Sequence, residues 1–125
     1  MKRDGAQRGR ALLVDSELGI RGMISRYLQL HGMDVVEVAT FDEAESRLSG
    51  SGNFDLLVAE LRTPDHAEWQ EWKCLVTRYT NMSLLIHGKH NDDWNEVSAE
   101  IGRKAGFIGK PFTLSDFHWA LQQVL

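Results

Sequence analysis

The sequence predicts an α/β domain built on a doubly wound, parallel, five-stranded sheet of (βα)5 order. Short apolar runs alternate strictly with segments whose apolar residues recur at the three-and-four spacing of a helix face. The connections between them are short, which favours parallel strands joined by right-handed crossovers, with helices on both sheet faces. In addition, the first and third runs stop on carboxylates, and a buried parallel strand aims its last side chains into the crevice where α/β proteins place their chemistry.

The first strand is Ala11-Leu12-Leu13-Val14, ending on Asp15, Ser16 and Glu17. Ser16 is expected to cap the helix that follows, whose buried stripe is Ile20, Met23, Ile24, Tyr27 and Leu28, closed by His31-Gly32. Met33, Val35, Val36 and Val38 make the second strand. Thr40 and Glu43 form a capping box for a short helix through Phe41, Ala44 and Leu48. After the loop at 49–53, the third strand runs from Phe54 to Glu60 and meets the turn Arg62-Thr63-Pro64-Asp65. Asp65 is a plausible cap for a helix with Trp72, Leu75, Val76 and Tyr79 on its face. Met82 to Ile86 is the fourth strand, ending on His87-Gly88, and a weakly patterned fourth helix over 92–104 carries Trp94, Val97 and Ile101. The fifth strand is Gly106 to Gly109, stopped by Lys110-Pro111-Phe112. Thr113 and Asp116 then cap a last helix that buries Leu114, Phe117, Leu121 and Val124.

At 125 residues the chain fits one domain, which would bury roughly two-thirds of the surface its unfolded form exposes. Residues 1–9 are expected to be a flexible basic tail and 10–125 the folded domain. The first ten residues carry Lys2, Arg3, Arg8 and Arg10 against Asp4, so with a net charge of −4 for the whole chain the remainder holds −7. An acidic body argues against direct nucleic-acid binding by this domain. A lone cysteine, Cys74, excludes an intrachain disulfide framework. No apolar run approaches a membrane span and no signal segment opens the chain, so a cytoplasmic location is expected.

From about Arg10 to Leu125 the chain resembles the receiver domain of two-component response regulators, which shares the flavodoxin-like order. Four features carry the resemblance: the acid-rich turn Val14-Asp15-Ser16-Glu17, the carboxylate-ending third strand before Arg62-Thr63-Pro64-Asp65, the small-residue end of the fourth strand, and Lys110-Pro111-Phe112. The resemblance implies a site in which a third-strand aspartate accepts a phosphoryl group. Mg²⁺ is held there by that aspartate and an acidic pair after the first strand. A lysine after the fifth strand and a hydroxyl after the fourth contact the phosphoryl oxygens. Phosphoryl transfer is mainly positioning and charge neutralisation, so each part matters.

This sequence departs from that set. Glu60 stands at the acceptor position, Ser16 replaces the second acid beside Asp15, and His87 occupies the hydroxyl position, while Lys110 is kept and Phe107 takes the place of a switch-linked aromatic. Glutamate carries its carboxylate about one carbon–carbon bond, ~1.5 Å, further out than aspartate, which spoils in-line geometry. A serine hydroxyl is a poor exchange for a carboxylate on Mg²⁺, so a metal site on Asp15 and Glu60 would be weak and no cofactor is required.

The resulting expectation is an atypical, non-enzymatic receiver in two-component or phosphorelay signalling. It would act by contact with a protein partner, such as a sensor kinase, an output domain or another regulator, and would not be phosphorylated at the usual position. The surface of the fourth helix, fifth strand and fifth helix is the expected homodimer face, with Trp94 and Trp119 as anchors. Glu60 is either a partial mimic of a phosphorylated residue, paired with Lys110, or a decayed site. His87 is either a pH-sensitive contact to Glu60 or a packed or exposed histidine. Two alternatives stand beside this reading: a metal-dependent phosphohydrolase or phosphotransfer enzyme using Asp15, Glu17 and Glu60, and a receiver phosphorylated at another acid such as Asp15. A last helix closing at Val124-Leu125 leaves room for an appended output domain.

Overall fold

The computed structural model describes residues 9–50, 53–61, 66–79, 81–88, 105–109 and 111–125, with His66 and Ala67 described by backbone alone. The described elements are β1 (Gly9–Val14), α1 (Leu18–Leu30), β2 (Met33–Val38), α2 (Phe41–Ser49), β3 (Leu56–Leu61), α3 (His66–Val76), β4 (Ser83–Gly88), β5 (Ala105–Gly109) and α4 (Leu114–Val124). The strands form one parallel sheet in the order β2-β1-β3-β4-β5. The helix expected over 92–104, with Trp94, lies outside the described residues, so α4 is the helix expected to be the fifth. By its internal contacts the chain divides into two compact units, one up to Val58 and one from Ala59.

In the first unit, β1 pairs with β2 from Gly9 opposite Met33 to Val14 opposite Val38. Ala11 to Val14 are buried, as are Ile24 and Leu28 of α1 and Ala44 and Leu48 of α2. Each large aliphatic side chain withdrawn from water contributes about 1.5–3 kcal/mol. The α1 stripe is narrower than its sequence suggests, because Ile20, Met23 and Tyr27 are only half-buried and Ser25 joins the buried set. Thr40 and Glu43 form the expected box: Thr40 Oγ1 accepts the Glu43 N–H, and the Glu43 carboxylate accepts the Thr40 N–H.

The start of β1 is fixed locally. The Arg10 N–H donates to Asp55 Oδ2 and the Asp55 N–H donates to the Arg10 carbonyl, both at 2.8 Å. Gly9 precedes this exchange at φ 123°, a backbone state that suits glycine, and a Cβ there would lie 2.5 Å from Asp55 Oδ2. The Arg10 guanidinium sits 4.7 Å from the Phe54 ring centroid and 3.3 Å from Asp34. The ion pair with Asp34 is solvent-exposed and contributes little, about 1 kcal/mol or less.

In the second unit, β4 pairs with β5 from Leu84 opposite Ala105 to Gly88 opposite Gly109. Helix α4 covers these strands with Phe117, Ala120, Leu121 and Val124. Gly106 makes that approach possible, since a Cβ there would stand 2.9 Å from Val124 Cγ1. The Thr113 and Asp116 box is present as expected. Leu114 departs from expectation: at the first helical position it is 43% exposed, because the buried stripe begins three residues later at Phe117. In α3 the core takes Trp72, Leu75 and Val76 as predicted, and also Trp69, whose position three residues before Trp72 puts it on the same face.

Candidate functional site

Two strand ends carry the residues that the sequence singles out. At the end of β1, Asp15 is almost wholly buried, at 1% exposure, while Ser16 and Glu17 are exposed. Ser16 is not the N-cap of α1. Glu17 holds that position without a side-chain cap bond, and Asp15 Oδ1 accepts the Glu17 N–H at 2.8 Å, so the aspartate organises the turn that the serine was expected to close. The Asp15 N–H donates to the Val38 carbonyl. Arg21 in α1 donates from Nη1 to the Asp15 carbonyl at 3.0 Å, and its Nε lies 3.3 Å from Glu37 Oε1. No pattern in the sequence marks Arg21, because an arginine in a first helical turn is usually only a solvated charge.

At the end of β3, Glu60 is half-buried, the first residue of the strand not enclosed after the buried run Leu56 to Ala59. β4 extends two residues further than the Met82–Ile86 expected from apolarity, because His87 and Gly88 continue the strand and are buried in it. His87 is fully buried at 0% exposure. A Cβ on Gly88 would lie 3.6 Å from Leu61 Cβ and 2.6 Å from the Leu61 carbonyl oxygen, so Gly88 and Leu61 stand abreast on one face. Stepping back one residue on each strand places Glu60 and His87 abreast on the other face. The acceptor-position acid and the hydroxyl-position histidine are therefore cross-strand neighbours.

The His87 ring is packed rather than solvated. It meets Phe112 edge to face at 5.7 Å between centroids, and Phe112 in turn stacks on Phe117 of α4 at 6.1 Å. Phe112 is the residue that sequence reasoning missed as part of this cluster. Phe107 is half-buried in β5, opposite Ile86, so it lies one residue out of step with His87 and on the other face. Lys110, Trp94 and the turn at 62–65 lie outside the described residues.

At the end of β1, Asp15 Oδ1 accepts a backbone N–H, and the neighbouring Ser16 brings a hydroxyl where a second carboxylate would strengthen a hard divalent site. Among the described residues no three His, Cys, Asp or Glu side chains cluster in a way that would hold a metal ion.

Against solved structures, the chain superposes on the chemotaxis protein CheY4 of Vibrio cholerae with a TM-score of 0.76 at 24% identity, covering 93% of this chain and 98% of that one. The fold is that of a CheY-like receiver. The receiver domain of HemR from Leptospira biflexa gives the same TM-score at 28% identity, with 94% of each chain covered. By sequence, the receiver-like chain is 28% identical over 107 residues to the regulatory protein VirG of Agrobacterium tumefaciens, which covers 85% of this chain and 39% of VirG. It is 29% identical over 105 residues to the swarming motility regulation protein RssB of Serratia marcescens, covering 84% and 48% respectively. The chain spans less than half the length of these curated relatives. No family model matches it. Names and folds of these relatives together support a receiver domain of two-component signalling.

Proposed function

We propose that this chain is an atypical receiver that acts through protein contact and is not phosphorylated at the position receivers normally use. The observation that carries the reading is the pair abreast at the ends of β3 and β4: Glu60 where the acceptor aspartate is expected, beside a buried His87 where a small hydroxyl is expected. Glutamate moves the carboxylate outward, and a packed imidazole fills space that a serine or threonine would leave for a phosphoryl oxygen. Ser16 removes the second metal carboxylate. Lys110 completes this set by its place in the sequence, as the residue that would hold Glu60 or a phosphoryl oxygen.

Phosphorylation at Asp15 is disfavoured by the same geometry. An acceptor must be reached in line, and Asp15 is enclosed and bonded to the turn it organises. The metal-dependent phosphohydrolase reading has no observation in its favour. Partners are proposed from the kind of protein the relatives are: a kinase, an output domain or another regulator. A homodimer through the fourth helix, fifth strand and fifth helix is the proposed self-contact, supported by Trp119, which stands 67% exposed on α4.

The test is intact mass after incubation with a small acyl phosphate donor and Mg²⁺. The wild-type chain is expected to keep its unmodified mass, and a stoichiometric phosphoryl adduct mapped to Glu60 overturns the reading. The triple variant Glu60→Asp, Ser16→Asp, His87→Thr is expected to gain the adduct.

A further inference from the structure

A ring at position 87 does more than exclude a hydroxyl. His87 is fully enclosed, contacts Phe112, and through it reaches Phe117, which is itself fully buried in α4. The three rings run from the end of β4, across the segment that enters α4, into the helix's core-facing stripe. Leu85 stands two residues before His87, on the same face of β4, and lies 3.6 Å from the Cβ position of Gly106, which also meets Val124 at the far end of α4. The end of β4 thus meets the first turn of the helix through rings, while Gly106 of the paired β5 faces the last turn.

We infer that His87, Phe112 and Phe117 form an aromatic latch that holds α4 to the end of β4 in a single arrangement. A short hydroxyl side chain at position 87 reaches no ring and leaves the entry to the helix free to shift relative to the strand. A buried imidazole in edge contact with Phe112 cannot leave without opening the cluster. Joined to the reading of Glu60 given above, the latch makes the α4 surface, with Trp119, a fixed signal rather than a switched one. The latch itself rests on the ring geometry alone, so its failure leaves the Glu60 reading standing.

Native-state hydrogen exchange on the full chain tests it, comparing amides of α4 from Phe117 to Leu121 with those of α1. In His87→Thr the α4 amides are expected to exchange up to about tenfold faster while α1 keeps its protection. In His87→Phe, which keeps a ring, α4 protection is expected to stay within about twofold of wild type. Unchanged α4 protection in His87→Thr overturns the latch, as does equal loss in His87→Phe, which would assign the effect to a polar contact of the imidazole. Should His87→Thr lose protection in both helices, Phe112→Leu decides: selective loss in α4 supports the latch, and no selective loss overturns it.

Discussion

At Gly88 one absent methyl group sets how closely β3 and β4 can approach. A Cβ there would fall 2.6 Å from the Leu61 carbonyl oxygen, a backbone atom that cannot swing aside. Gly88→Ala is therefore expected to cost about 1–3 kcal/mol, read as a lower midpoint in urea denaturation. Gly22 is the opposite case, exposed in the middle of α1 with open space where a Cβ would point. Gly22→Ala is expected to stabilise by about 0.5–1 kcal/mol in the same assay. Sequence alone distinguishes these two only in part, since the helical pattern marks Gly22 as a propensity defect but nothing marks the carbonyl facing Gly88. His87 shows the same limit. Its place at a strand end follows from the apolar run before it, whereas its ring contact with Phe112 is tertiary and is marked by neither residue's neighbours in sequence.

At the scale of elements, local rules carried most of the prediction. Both capping boxes form as expected because their partners sit three residues apart and need no tertiary help. Thr40→Ala and Thr113→Ala are each expected to cost about 1 kcal/mol, checked by thermal unfolding, with the two effects adding because the boxes share no partner. The start of α1 was misread for the reverse reason. Ser16 is chemically the better cap, but the buried Asp15 turns back and takes the Glu17 N–H, so the strand that encloses the aspartate decides the cap. Strand ends were misplaced by one to two residues wherever polar or small residues, Gly9, His87 and Gly88, continued the ladder beyond the apolar run. Pairing with a neighbour, which is not a property of the run itself, extends those strands.

Across the whole molecule the five-stranded parallel sheet was legible because alternation and short connections leave few topologies open. What the surface does was less so, since exposure of a single aromatic is not written in its neighbours. Trp119 lies off the buried stripe of α4, and Trp119→Ser is expected to leave unfolding stability within about 0.5 kcal/mol of wild type while weakening the proposed self-association, checked by sedimentation equilibrium. The border of the sheet has a different consequence. β2 is an outermost strand, and it turns Asp34 and Glu37 outward, each close to an arginine from its own unit. A second chain laying the same strand alongside would set carboxylate against carboxylate and disturb both arginine contacts. A domain proposed to spend its life meeting other proteins thus has one rim on which runaway strand-to-strand stacking is discouraged, leaving helical surfaces as the places where company is kept.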